Sequence, residues 1–154
     1  MTLAGKDPLF VGVDVGTGSA RAALVTIDGT ILAESTHATK TFRLDSDSRI
    51  FEQSTLDIWS QITSAVRDVL TESKVDKSQV KGIGFDATCS LAVTDVKGKA
   101  IEVTPNSSFR EGDRNVILWA DHRAEDEAKL INSTGNMVLN YVGKTMSVSI
   151  HLGV

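Results

Sequence analysis

Asp14, Gly16, Thr17, Gly18 and Ser19 fall together in VGVDVGTGSARAALV, Val11 to Val25, where a β-prone run breaks into small and hydroxyl residues and a second apolar run follows. Glycine at positions 16 and 18 permits positive φ and lets a ligand approach the backbone, while Thr17 and Ser19 add hydroxyl donors beside the amides. A tip of this kind can hold phosphate. Asp14 alone would repel phosphate, but a carboxylate is a natural holder of Mg²⁺, directly or through water, and the metal would bridge it to nucleotide oxygens. Arg21 adds a positive charge nearby. The same residues also describe an ordinary glycine-rich hairpin turn, and this stretch alone leaves both readings open.

Two rival phosphate templates fail on inspection. The dinucleotide fingerprint GxGxxG needs glycine where Arg21 stands and a helix afterwards, whereas an apolar strand pattern follows. Gly143-Lys144-Thr145 resembles the end of a P-loop, but the required first glycine would fall at Val138. His37, His122 and His151 are scattered, which disfavours a histidine metal site, and no cysteine pattern for zinc exists.

The elements that must position the tip follow from pattern. Leu9 to Val13 and Ala20 to Ile27 read as strands, and Asp28-Gly29 is a hairpin signal leading into Ile31-Leu32-Ala33, which makes a three-strand antiparallel meander. His37 to Ile50 has neither period and reads as a surface loop. Ser54 opens a helix, with Asp57 as an acidic variant of the capping box and Ile58, Ile62, Ala65, Val66 and Val69 at helical spacing. Trp59 and Ile62 are assigned to its core. Val80 to Ala87 reads as a strand near full burial, Leu91 to Thr94 as another, and Lys97-Gly98 as a turn. A polar loop, Thr104 to Arg114, precedes a strand at Val116 to Trp119, and a helix runs from after Asp121 to about Ile131. The sum is an α/β domain with a mixed sheet.

With 154 residues and 41% hydrophobic content, one domain with a real core is the default. A net charge of −4 and a pI near 5.3 supply no broad basic field, so nucleic acid and anionic membrane surfaces are excluded as principal partners. Cys89 is the one cysteine, no run approaches a membrane span, and MTLAGKDPLF lacks the apolar core of a signal peptide; the chain reads as cytoplasmic. Asn106-Ser107-Ser108 and Asn132-Ser133-Thr134 match the glycosylation acceptor pattern and, without an export signal, are read as incidental.

Four ordered stretches carry a resemblance: Val11 to Arg21; Phe51-Glu52-Gln53-Ser54 before a helix bearing Trp59; Gly82 to Ser90; and Asn115-Val116-Ile117-Leu118-Trp119-Ala120-Asp121-His122-Arg123-Ala124. Together they resemble the N-terminal portion of the FGGY carbohydrate kinases, in their ribulokinase-like branch, over about residues 8 to 148. The resemblance implies an actin-like ATPase fold with a ribonuclease-H-like sheet. It also implies phosphorylation of a sugar hydroxyl by ATP with Mg²⁺, on a ketopentose such as ribulose. Asp14 would sit at the metal, and Gly16, Thr17, Gly18, Ser19 and Arg21 at the β/γ-phosphate end. Thr88, Cys89, Ser90, Trp119, Asp121, Arg123 and, less distinctively, Tyr141 would face the sugar. Those residue types suit sugar binding, because tryptophan covers a C–H face and a carboxylate and a guanidinium hold hydroxyls as acceptor and donor.

Without the resemblance each residue keeps a plainer reading. Trp119 is a core residue ending a strand, Asp121 a helix N-cap, Arg123 a solvated first-turn residue, Cys89 a small buried residue, and Asp86 and Asp95 turn or sheet-end carboxylates. The family's general base, its adenosine pocket and its second phosphate loop match nothing here, so no catalytic residue is assigned. Residues 1–8 read as a tail, 9–148 as a partial, truncated domain, and 149–154 as a divergent tail. The chain alone is expected to be inactive. Sugar binding, self-association or pairing with a full-length kinase is the non-catalytic alternative.

Overall fold

The computed structural model describes residues 7–104 and 114–148. In chain order the strands are β1 (Leu9–Val15), β2 (Ser19–Thr26), β3 (Ile31–Ala38), β4 (Phe42–Leu44), β5 (Asp47–Gln53), β6 (Val80–Ala87), β7 (Leu91–Ala92) and β8 (Val116–Ile117). The helices are α1 (Thr55–Ser73) and α2 (Glu125–Ser133), with 3-10 turns at Lys77–Gln79 and Met137–Tyr141. Where composition suggests one domain, the described residues divide into two compact units, one of residues 7–40 and 56–88, the other of 41–55, 89–104 and 114–148. The expected tails at 1–8 and 149–154 lie almost wholly outside the described residues, as do His151, the Asn106 glycosylation pattern and most of the Thr104 to Arg114 loop.

In the first unit the sheet order is β3-β2-β1-β6, with the expected antiparallel meander and β6 parallel to β1. Alternation decides which face is covered. Leu9, Val11 and Val13 of β1 and Ala20, Ala22 and Leu24 of β2 are buried against Ile62, Ala65 and Val69, the helical stripe of α1. Losing the Leu24 side chain to alanine would cost about 2–5 kcal/mol. The turn after β2 forms as its residues dictate: Gly29 takes φ 85°, and its N–H donates to the Thr26 carbonyl at 3.0 Å.

Two burial expectations fail in this unit. Trp59 is 58% exposed, and β6 is largely exposed, with Ile83 at 50% and Phe85 at 55%. The side chains of β6 at Ile83 and Phe85 share the face of Val11 and Val13, but β6 is the edge strand, and the buried stripe of α1 lies over β1 and β2. The capping box also differs. Asp57 accepts from the Lys40 N–H at 2.8 Å and from the Gln61 side chain at 3.2 Å.

The second unit holds a sheet of order β4-β5-β8-β7, antiparallel throughout. The surface loop expected over His37 to Ile50 is therefore corrected: it contains the end of β3, all of β4 and the start of β5. Its alternation is hidden because β5 buries a charge, Glu52, as completely as an apolar residue. Leu91 to Thr94 shortens to β7 plus a bridge from Thr94 to Ala100, around a turn at Asp95 to Gly98 that does form. The strand expected to reach Trp119 stops at Ile117, and the chain turns from Leu118 to Asp121. Among the described residues no helix is long and apolar enough to cross a membrane.

Candidate functional site

The connection from β1 to β2 is Gly16-Thr17-Gly18. It is closed by the Gly16 N–H donating to the Ser19 carbonyl at 2.9 Å and braced by the Thr39 N–H on the Gly18 carbonyl at 3.0 Å. Thr88 joins it, its N–H donating to the Val15 carbonyl at 3.0 Å. Neither tip glycine uses the left-handed backbone; the positive-φ glycines among the described residues are 29, 98, 135 and 143. What these glycines supply is space. A Cβ on Gly18 would meet nothing within 4 Å, and one on Gly16 would meet only Ser19 O at 3.6 Å and Arg21 Nη1 at 3.8 Å.

Register places Asp14 opposite Arg21 on β2 and beside Asp86 on β6. Arg21 Nη1 donates to Asp14 Oδ2 at 2.7 Å, with both side chains about half exposed (57% and 52%). Asp86 Oδ1 accepts from the Ala87 N–H. Asp14 and Asp86 are thus neighbours at the ends of adjacent parallel strands, and carboxylate oxygens are the donor type that Mg²⁺ takes. Among the described residues no group of three or more candidate metal ligands gathers.

The second unit contains a cavity of about 260 Å³ whose walls include Cys89, Leu91, Ile117, Trp119, Asp121 and Arg123. Four of the residues assigned to the sugar side thus come together. Ser90 stands next to them, its Oγ accepting from the Trp119 N–H at 3.3 Å. Thr88 belongs to the first unit, and Tyr141, 81% exposed in its 3-10 turn, is not among the lining residues. Trp119 is 41% exposed at the corner of the Leu118 to Asp121 turn rather than in the core, and Cys89 is exposed rather than buried.

Asp121 and Arg123 form the floor, and their hydrogen-bonding capacity is fully engaged. Asp121 Oδ1 accepts from the Arg123 N–H at 2.9 Å and Nε at 2.8 Å; Oδ2 accepts from the Phe51 N–H at 2.8 Å and Arg123 Nη2 at 2.7 Å. Arg123 Nη1 donates to the Val103 carbonyl at 3.3 Å and Thr104 Oγ1 at 2.9 Å, and Nη2 also donates to Glu52 Oε1 at 2.8 Å. Every N–H of the guanidinium has a protein acceptor. Burial alone would raise the Asp121 pKa, but the bonds from Arg123 and the Phe51 N–H outweigh it and hold the carboxyl below its usual range. For Arg123, burial opposes the charge and the two carboxylates more than restore it, so its pKa is raised. Asp121 is not a helix N-cap; Ala124 occupies that place before α2.

The chain matches the N-terminal domain of the FGGY family of carbohydrate kinases over residues 9–151. It belongs to that family. It is 43% identical over 150 residues to a D-ribulokinase of Saccharomyces cerevisiae, covering 96% of this chain and 21% of that protein. It is also 43% identical over 139 residues to the human FGGY carbohydrate kinase domain-containing protein, covering 90% and 24%. Among solved structures, gluconate kinase from Lactobacillus acidophilus superposes with a TM-score of 0.68 at 19% identity, covering 84% of this chain and 23% of that one, which shows the fold. The chain therefore spans between a fifth and a quarter of the length of these relatives. The actin-like fold with its mixed sheet is the one the sequence motifs imply.

Sequence reasoning does not single out Glu52 as a site residue. It lies in the Phe51-Glu52-Gln53-Ser54 motif, and a fully buried carboxylate at 0% exposure next to Arg114 and Arg123 is a signal only the fold supplies.

Proposed function

We propose that this chain is the N-terminal part of an ATP-dependent kinase that transfers the γ-phosphate to a hydroxyl of a ketopentose such as ribulose. The 43% identity over 150 residues with a D-ribulokinase carries that reading. In it, the open backbone of Gly16 to Ser19 receives the β/γ-phosphate end of ATP, with Arg21 balancing its charge. Asp14, with Asp86 beside it, would hold Mg²⁺, which supplies charge neutralisation on the phosphates when bound. Trp119 offers its exposed face to the C–H side of the sugar, and Ser90 supplies a hydroxyl beside it.

Phosphoryl transfer depends on positioning both substrates in a closed, dry cleft, and no Asp here is assigned as the base that takes the hydroxyl proton. The 154-residue chain by itself is accordingly expected to turn over negligibly. The test is thermal unfolding of the chain with Mg-ATP, D-ribulose, L-ribulose, D-xylulose or ribitol added singly. A ligand at 100 times its dissociation constant stabilises the native state by about 2.7 kcal/mol. A shift with D-ribulose supports the reading, and a shift with ribitol alone replaces the ketopentose. Turnover comparable to a full-length kinase would overturn the inactivity.

The non-catalytic alternative is favoured by one observation. Trp59 of α1 and Ile83 and Phe85 of the edge strand β6, which among the described residues pairs only with β1, present exposed apolar surface that suits a second copy of the chain. Light scattering after size exclusion that gives a monomer at all concentrations would remove self-association from that alternative.

A further inference from the structure

Glu52 is completely buried on β5, in the middle of a cluster of two guanidinium groups and two carboxylates. Its Oε1 accepts from Arg123 Nη2 at 2.8 Å and from Thr104 Oγ1, and its Oε2 stands 3.7 Å from Arg114 Nη1. Arg114 is itself buried and stacks on Phe42, its Cζ 4.2 Å from the ring centre. A charge is tolerated at such depth only when compensated, and among the described residues two guanidinium groups face two carboxylates.

We infer that Glu52 is a positioning residue for the Trp119 cavity: it holds the Arg123 guanidinium in the floor and, through Asp121, fixes the turn that presents the Trp119 ring. The connection is continuous. Arg123 bonds both oxygens of Asp121; Asp121 takes the Phe51 N–H; the Leu118 N–H donates to the Phe51 carbonyl at 3.0 Å; and the His122 N–H donates to the Arg49 carbonyl at 2.9 Å. The turn from Leu118 to Asp121 is thereby fastened at both ends to the strand that carries Glu52. Glu52 shares Nη2 with Asp121, so both hydrogens of that nitrogen are held by protein carboxylates. Asp121 and Arg123 then act on a sugar by shaping its site, with Trp119 as the contacting group. The inference rests on the proposed sugar reading of this cavity for its functional meaning, not for its geometry.

The experiment follows Trp119 fluorescence in a Trp59→Phe background, which leaves one indole. Glu52→Gln removes the charge and leaves an amide of the same size. Glu52→Gln/Arg114→Gln also restores the buried charge balance, so it decides the matter if the single variant does not fold. Well below the unfolding temperature, both are expected to shift the Trp119 emission maximum and raise its quenching by acrylamide. A merely structural Glu52 would lower the unfolding midpoint and leave emission and quenching of the folded protein unchanged, and that result overturns the inference. D-ribulose is then titrated into the Trp59→Phe parent and the variants. If it perturbs the parent, Glu52→Gln is expected to weaken it about tenfold, which is ~1.4 kcal/mol. A parent unaffected by D-ribulose removes the ribulose reading, while the emission comparison without sugar still decides the role of Glu52.

Discussion

The carboxylate of Asp121 accepts the backbone N–H of Phe51 at 2.8 Å, across a sequence separation of 70 residues. With the Leu118 and His122 N–H bonds to β5 carbonyls it ties the turn bearing Trp119 to β5, and it places Asp121 where Arg123 can close both of its oxygens. The two motifs that resemble the kinase family in this half of the chain, around Glu52 and around Trp119, are therefore one physical object.

Asp121→Asn probes the coupling between them. The amide keeps one acceptor for the Phe51 N–H but meets Arg123 donors with its NH₂, leaving a guanidinium N–H and a buried charge uncompensated. Breaking a buried pair from one side costs about 3–5 kcal/mol; with Arg123 still 21% exposed, a loss near the lower end, about 3 kcal/mol, is expected in urea unfolding. Removing both partners in Asp121→Asn/Arg123→Met should cost less than the sum of the single losses. Strict additivity would show that the pair is not coupled.

Much of the first unit was legible because its residues obey a single period. Leu9, Val11 and Val13 alternate, Ile62, Ala65 and Val69 step by helical turns, and Gly29 sits where the hairpin needs it. The second unit was not, because its strands are short and its interior is partly ionic. Phe42 and Leu44 pair with a strand that buries Glu52, so a hydrophobic pattern has nothing to follow. For the site, the types at Trp119, Asp121 and Arg123 were read from motif, but their division of labour was not. Only the geometry shows that Arg123 has an acceptor for every donor, while Trp119 stands open at a turn.

Acid should weaken the fold through carboxylates whose pKa falls on folding. Asp47, bonded by the Arg49 side chain and N–H, is lowered to about 2, and Asp68, bonded chiefly by His37 at 2.7 Å and then by Ser35, is also lowered. A depressed carboxyl contributes stability that is complete above its unfolded value of about 3.9 and is lost as pH falls through the folded value. For Asp47 the window runs from about pH 4 to about 2. Urea midpoints of the parent and Asp47→Asn should differ at pH 6 and converge by the acid end of that window. A gap that stays constant with pH would deny the Arg49 contact any part in stability.

Alanine at Gly18 in the tip and at Gly29 in the next turn tests the proposed phosphate site against an ordinary turn. At Gly18 a methyl group meets no atom within 4 Å and the backbone is not left-handed, so nothing in the fold objects to alanine. The smaller unfolded ensemble should even favour Gly18→Ala, by about 0.4–1 kcal/mol. A phosphate cradled on the tip amides would meet that methyl directly. The expected outcome is a thermal midpoint equal to or above the parent's without ligand, together with loss of any upward shift caused by Mg-ATP in the parent. Gly29→Ala is the contrast: its φ of 85° is strained for any side chain, so it should lower the midpoint and leave the ligand shift in place. If Gly18→Ala instead destabilises like Gly29→Ala and keeps the Mg-ATP shift, the tip is an ordinary hairpin turn and the nucleotide must be held elsewhere.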